Sequence, residues 1–294
     1  MQRSVCDKFL RATLSVFTAS LAGCSGGVLE PHGPIGAANR LILFNAVEIM
    51  AAIVVPTIVA ALVFAWWFRE SNTRARYLPH WAYSGRIELI VWSIPLLVIC
   101  FLGGVIYIGS HDLDPARPIA SQNKPLEVQV VSLDWKWLFI YPDLSVASVN
   151  QLVVPVGMPI HFNLTSASVM NAFFVPQLGS MIYTMNGMVT QLHLQADHAG
   201  DYNGLSAQFS GDGFPDMAFV VHAVPQNDFA GWLAEVRRTG PVLDRAGYAD
   251  LSKRSTNQPF TYRQADPALF NAVVTQQIPP QPGPGSQRAE KAEH

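Results

Sequence analysis

Two uninterrupted apolar runs constrain this chain more than any other feature. The first, "LILFNAVEIMAAIVVPTIVAALVFAWWF", covers 41–68, and the second, "IELIVWSIPLLVICFLGGVIYIGS", covers 87–110. Each exceeds the roughly 20 apolar residues that a helix needs to cross a bilayer, so two transmembrane helices are expected. Pro56 and Pro95 lie inside them, which a membrane helix tolerates where neighbours satisfy the freed carbonyls. Composition agrees, because only 14% of the 294 residues are charged, against about 25% in ordinary soluble domains. The remaining length leaves room for one globular domain.

Orientation follows from the flanking charges. The connecting segment 69–86 carries Arg69, Arg74, Arg76 and Arg86, whereas the far end of the second helix reads "SHDLDP". By the positive-inside bias the short loop is cytoplasmic, and everything beyond 110 faces outward. The N-terminus fits the same orientation. Arg3, Lys8 and Arg11 precede "ATLSVFTASLA" and then "LAGC", which resembles a bacterial lipoprotein signal. On that reading 1–23 is removed, Cys24 is acylated, and 24–40 is a periplasmic spacer. Cys6 leaves with the signal and Cys100 stands alone in an apolar run, so the mature chain has no thiol pair for a disulfide or a metal.

From 125 to 225 the texture changes to short β-type runs split by Gly, Pro, Asn and Asp. Examples are "LEVQVVSLDWKWLFIY", "QLVVPVGMPIHFNLTS" and "MAFVVHAV". Such runs predict a β-sandwich of Greek-key, cupredoxin-like type. Segment 226–276 is expected to be helical, with "NDFAGWLAEVRR" and "DPALFNAVV" as its helices, and 277–294 is a Pro/Gly-rich disordered tail. The fold class is therefore a membrane-anchored α plus all-β chain: a two-helix hairpin, the sandwich, and a short C-terminal helical segment. Between Lys136 and Arg237 there is no Lys or Arg, which excludes nucleic acid as a partner of this domain.

The stretch "SAQFSGDGFPDM", 206–217, has the spacing of a metal loop but not its donors. With "GRIELIVWSIP", "VVSLDWKWLFIYP" and "SVMNAFFVPQLGSMIYTMNGMV", it resembles subunit II of the haem-copper terminal oxidases over nearly the whole mature chain. In the cytochrome c oxidases of that superfamily a two-copper centre is held by a His-Ser-Phe-x-x-Pro histidine and a Cys-x-Glu-x-Cys-Gly-x-x-His-x-x-Met loop. The resemblance places Asn171 at the first His, Ser206 and Ser210 at the two Cys, Gln208 at the Glu and Phe214 at the second His. Met217 alone among the ligands is retained, with Gly211 beside it. These are vestigial copper-site positions, because neutral hydroxyls do not replace bridging thiolates. His161, His193, His198 and His222 show no tight ligand spacing, and surface or core roles are expected for them.

The copper-less pattern is similar to the cytochrome bo-type ubiquinol oxidase branch. That implies no metal and no cofactor in this chain, and haems and copper in a partner subunit I that also binds ubiquinol. It implies further oxidase subunits and membrane lipid as partners, and no cytochrome c. The resemblance also offers Glu88, in Glu-x-x-x-Trp with Trp92, as a proton-entry candidate; the other reading is an interfacial acid facing water near Arg86. Trp135 and Trp137 are expected to pack over subunit I. Glu48, inside the first helix, is left with two readings, reaching water at the outer interface or pairing with another subunit. Two rival readings of the chain are a stand-alone lipoprotein with a scaffolding β domain and a copper electron-transfer subunit.

Overall fold

A computed structural model describes residues 27–76 and 78–281. The expected signal segment 1–23, Cys24 and all but the first few residues of the tail lie outside them. Helix α1 spans Pro34–Trp67 and helix α2 spans Gly85–Asp112. Both are long and apolar enough to cross a membrane, and neither apolar stretch is buried within the chain. The two pack side by side near their outer ends, where a Cβ on Gly109 would meet Ile42 Cδ1 at 2.7 Å.

Helix α1 starts at Pro34, well before the apolar run at 41. Proline is preorganised for a first helical turn and loses no needed hydrogen bond there. The extra turns are not free spacer, because they dock on the β domain. His32 N–H donates to Gln177 O at 2.8 Å, Gly36 N–H to Leu178 O at 3.0 Å, and Asp197 N–H to His32 O at 2.8 Å. Asn39 adds a side-chain bond to Ser180 at 3.0 Å. Backbones approach so closely that a Cβ on Gly33 would sit 2.1 Å from Gln195 O. The start of the helix is thereby tied to the domain.

The β domain begins with β1 Leu126–Leu133 and β2 Lys136–Tyr141, then β3 Val146–Val149, β4 Gln151–Pro155 and β5 Ile160–Ser166. It continues with β6 Asn171–Phe174, β7 Ile182–Thr184, β8 Thr190–Leu194, β9 Gly200–Ser206 and β10 Ala218–Val224. One sheet runs β12-β3-β2-β1-β5-β8, with β12 at Phe260–Tyr262, and the other β4-β10-β9-β6-β7. The parallel pairs β1·β5 and β4·β10 are the crossovers of a Greek-key sandwich. Between the sheets lies an aromatic core in which Phe173 touches Trp137 edge-on, at 5.4 Å between centroids, and stacks on Phe219 at 5.0 Å. Trp137 is fully buried there, which corrects its expected place over a partner subunit.

The C-terminal segment holds three helices, α3 Gln226–Thr239, α4 Arg245–Leu251 and α5 Leu269–Val274. It also contributes strands absent from the sequence expectation: β12, and the small pair β11 Val242–Leu243 with β13 Gln264–Ala265. Strand β12 extends the first sheet by pairing with β3. Tyr248, Leu251, Leu269 and Phe270 cover the outer face of that sheet against Val131, Leu133, Leu138 and Ile140. Strand β2 is consequently buried on both faces, Lys136 included.

Candidate functional site

The loop after β9 returns to β10 through a single helical turn at Phe214–Asp216. Its ends are closed by Ser206 N–H donating to Met217 O at 3.2 Å, and its middle by Phe214 N–H donating to Gly211 O at 3.1 Å. Strand β6 lies beside β9, with Phe173 opposite Ser206, so Asn171 arrives next to the loop. The fold thus brings together residues that are 35 positions apart in sequence.

Their contacts are with one another. The Ser206 hydroxyl faces Asn171 Oδ1 at 3.1 Å and Gln208 O at 3.2 Å. The Ser210 hydroxyl points at Met217 Sδ at 3.8 Å, a weak bond. Asn171, Ser206, Ser210 and Met217 are all buried. Five of the six positions named from sequence therefore converge, Gln208 through its carbonyl. The sixth joins them only through its backbone, Phe214 O accepting from Met217 N–H at 3.1 Å, while its ring turns aside against Phe209 at 5.6 Å, near the surface.

Trp135 closes this knot from above. It sits in the β1–β2 turn with φ 69°, a left-handed conformation that is costly for a bulky side chain and held only by its surroundings. Its indole N–H donates to Ser210 O at 3.2 Å. The ring lies so near the loop that a Cβ on Gly213 would be 2.2 Å from Trp135 Cδ2. The turn itself is tied down by an ion pair between half-buried Arg254 and buried Asp134, Nε to Oδ2 at 3.0 Å. Asp134 also accepts from the Ser168 hydroxyl. Lys136 donates to Lys253 O at 2.7 Å, and burial lowers its pKa from 10.5 to about 8 against the opposing pull of Asp134.

Does the donor set suit copper? Soft copper centres want thiolates and imidazoles, and a dinuclear site wants sulfurs that bridge. Here there are two neutral hydroxyls already engaged, an amide, one thioether and an aromatic ring turned aside. These residues do not fit the metal, and no step of chemistry runs through them. What they can do is hold a loop shape by hydrogen bonds and packing.

One constellation escaped the sequence reading. His161 and His193 lie opposite each other on β5 and β8, their rings stacked at 4.5 Å and 7°. His161 Nδ1 is 2.9 Å from Glu127, and His193 Nδ1 is 3.2 Å from Pro115 O. Burial lowers the His193 pKa, and the neighbouring His161 adds to that. The near-parallel rings set their in-plane lone pairs side by side rather than towards one point. Among the described residues no group of three or more His, Cys, Asp or Glu is placed to hold a metal ion. Only pairing across strands could reveal this couple, because 32 positions separate its members.

Glu88 sits in the first turn of α2, exposed, with its N–H on Ser84 O at 3.0 Å. An acid there complements the helix dipole. Glu48 is exposed on α1.

A helix hairpin bonded to a two-sheet domain, whose loop lacks copper donors, is the arrangement that the resemblance to a copper-less oxidase subunit II implies. Comparison with known proteins agrees. The family "Cytochrome C oxidase subunit II, periplasmic domain" matches residues 144–224. "Ubiquinol oxidase subunit 2" of Acetobacter aceti is 48% identical over 86% of this chain and 83% of its own length. "Cytochrome bo(3) ubiquinol oxidase subunit 2" of Pseudomonas putida is 45% identical over 86% of this chain and 81% of its own. "Quinol oxidase subunit 2" of Bacillus cereus is 36% identical over 79% of this chain. The chain belongs to the ubiquinol oxidase subunit 2 family, as a membrane-anchored protein with a periplasmic domain.

Proposed function

We propose that this chain is the non-redox subunit II of a proton-pumping ubiquinol oxidase of the bacterial inner membrane. It supports and caps a subunit I that holds the haems and copper, takes electrons from ubiquinol and reduces oxygen to water. The observation that carries this reading is the donor set at 171 and 206–217, where hydroxyls and an amide stand at thiolate and imidazole positions and satisfy one another. A water-soluble electron donor needs a relay near the outer surface. Ubiquinol is dissolved in the bilayer and can reach a haem in the membrane without one.

Three further assignments belong to this reading. Residues 1–23 are a signal peptide and Cys24 the acylated first residue, which adds lipid to the two-helix anchor. Glu88 lies at the cytoplasmic mouth of proton uptake into subunit I. The membrane-crossing stretches are 41–68 and 87–110, and the copper-less β domain is centred on 125–225, with the strand at 260–262 completing its first sheet. Purification of the chain from native membranes, in mild detergent, tests the whole. The expected result is that haem and a large multi-helix polypeptide come with it; recovery of the chain alone would overturn the oxidase reading.

A further inference from the structure

Glu48 is the one acid inside the apolar stretch of α1, and the fold fixes both its depth and its direction. Depth comes from the contact of Ile42 with Gly109 at the outer end of the hairpin. Three residues beyond Gly109, Asp112 pairs with Arg117 at 3.0 Å in an exposed position, which marks the outer polar level. Glu48 is six residues deeper than Ile42, about 9 Å at the usual helical rise. With a hydrocarbon core of about 30 Å, its carboxyl lies within the outer leaflet and not at the interface. A short acidic side chain cannot climb that distance as Lys or Arg would.

Direction comes from the helix seam. Ile42, Ala46, Ile49 and Ile53 are half-buried and form the row facing α2. At about 100° per residue, Asn45, Glu48 and Ala52 form a separate row roughly a quarter-turn away. The bonds of His32, Gly36 and Asn39 tie the start of the same helix to the β domain. Arg40, the nearest cation in the helix, is two turns up, and its guanidinium lies over the Phe44 ring at 5.5 Å. No partner of Glu48 is found among the described residues.

We infer that the row Asn45, Glu48 and Ala52 is the docking line for a transmembrane helix of the haem-bearing subunit, which presents a hydrogen-bond donor or cation opposite Glu48. Charge complementarity selects this occupant over lipid: an acid in hydrocarbon is costly unless it is paired or meets water in a protein-lined cavity. Ala52 lets a second helix approach closely, and Asn45 supplies a second hydrogen-bonding group one turn away. The inference rests on the oxidase reading above.

The test uses the full chain, tagged, extracted from native membranes as wild type, Glu48→Leu and Glu48→Gln. Haem recovered per chain is read by absorbance through increasing detergent. Glu48→Leu should retain partner roughly 3- to 18-fold less well, the range of interhelical polar contacts in membranes, and Glu48→Gln should lie between it and wild type. Haem retention by Glu48→Leu equal to wild type overturns the inference. Wild type without haem counts against the oxidase reading instead. Should Glu48→Leu fail to accumulate, a photoreactive side chain at position 48 decides: an adduct with a membrane-spanning polypeptide supports the docking line, and adducts with lipid alone overturn it.

Discussion

Gly213→Ala tests whether side-chain packing holds the loop at 206–217. The new Cβ would lie 2.2 Å from Trp135 Cδ2 and 2.5 Å from Trp135 Cγ, so the indole must leave its place. Trp135 cannot yield easily, because its backbone is fixed at φ 69° in a two-residue turn anchored by Asp134 and Lys136. Overpacking of this kind costs about 1–3 kcal/mol. Loss of the Trp135 bond to Ser210 O adds about 0.5–1.5 kcal/mol. The sum, about 1.5–4.5 kcal/mol, corresponds to a fall in Tm of roughly 3–18 °C for a domain of this size. Thermal denaturation of the purified chain, followed by tryptophan fluorescence, measures both the fall and the altered indole environment. In a Trp135→Ala background the same substitution should cost under about 0.5 kcal/mol, since the steric conflict is gone. A Tm within about 1 °C of wild type, or an equal loss in both backgrounds, refutes the account.

Arg254→Ala leaves Asp134 a buried carboxylate held by the Ser168 hydroxyl but without its half-buried cation, and should destabilise the domain by about 1–3 kcal/mol, read as a lower denaturant midpoint; an unchanged midpoint would contradict the role of the pair. Lys136 gives a pH signature. Its folded-state pKa is about 8 against 10.5, so between these values the unfolded chain binds more protons and this group's contribution makes stability rise with pH. The rise should be absent in Lys136→Met when midpoints at several pH values across that window are compared with wild type. Glu88→Gln should slow oxygen consumption by the assembled oxidase; unchanged turnover and pumping would remove Glu88 from proton entry.

Much of the architecture is legible in the sequence because its signals are local. The membrane helices follow from the length of apolar runs, and the sandwich from short β-type runs with turn residues between them. The loop is legible through its resemblance to a copper-binding loop, whose intervals it keeps with Met217 in place while Ser206 and Ser210 stand at the thiolate positions. Non-local features were hidden. Strand β12 and the covering of the outer sheet depend on residues 260–270 meeting 131–149. One local clue existed: "KWLFIY" lacks the polar-apolar alternation of a one-sided strand, which signals burial on both faces. Trp135 and Trp137, two apart, were expected to act alike. The positive φ at 135 breaks the strand period, so one ring caps the loop while the other fills the core. His161 and His193 meet only through the β5–β8 register.

The loop knot and the family together make one central claim, that electrons reach this oxidase through the membrane and not through this chain. Oxygen consumption by the purified complex, with ubiquinol and with reduced cytochrome c in parallel, tests it directly. The account predicts turnover with ubiquinol and none with cytochrome c; sustained turnover with reduced cytochrome c would contradict it.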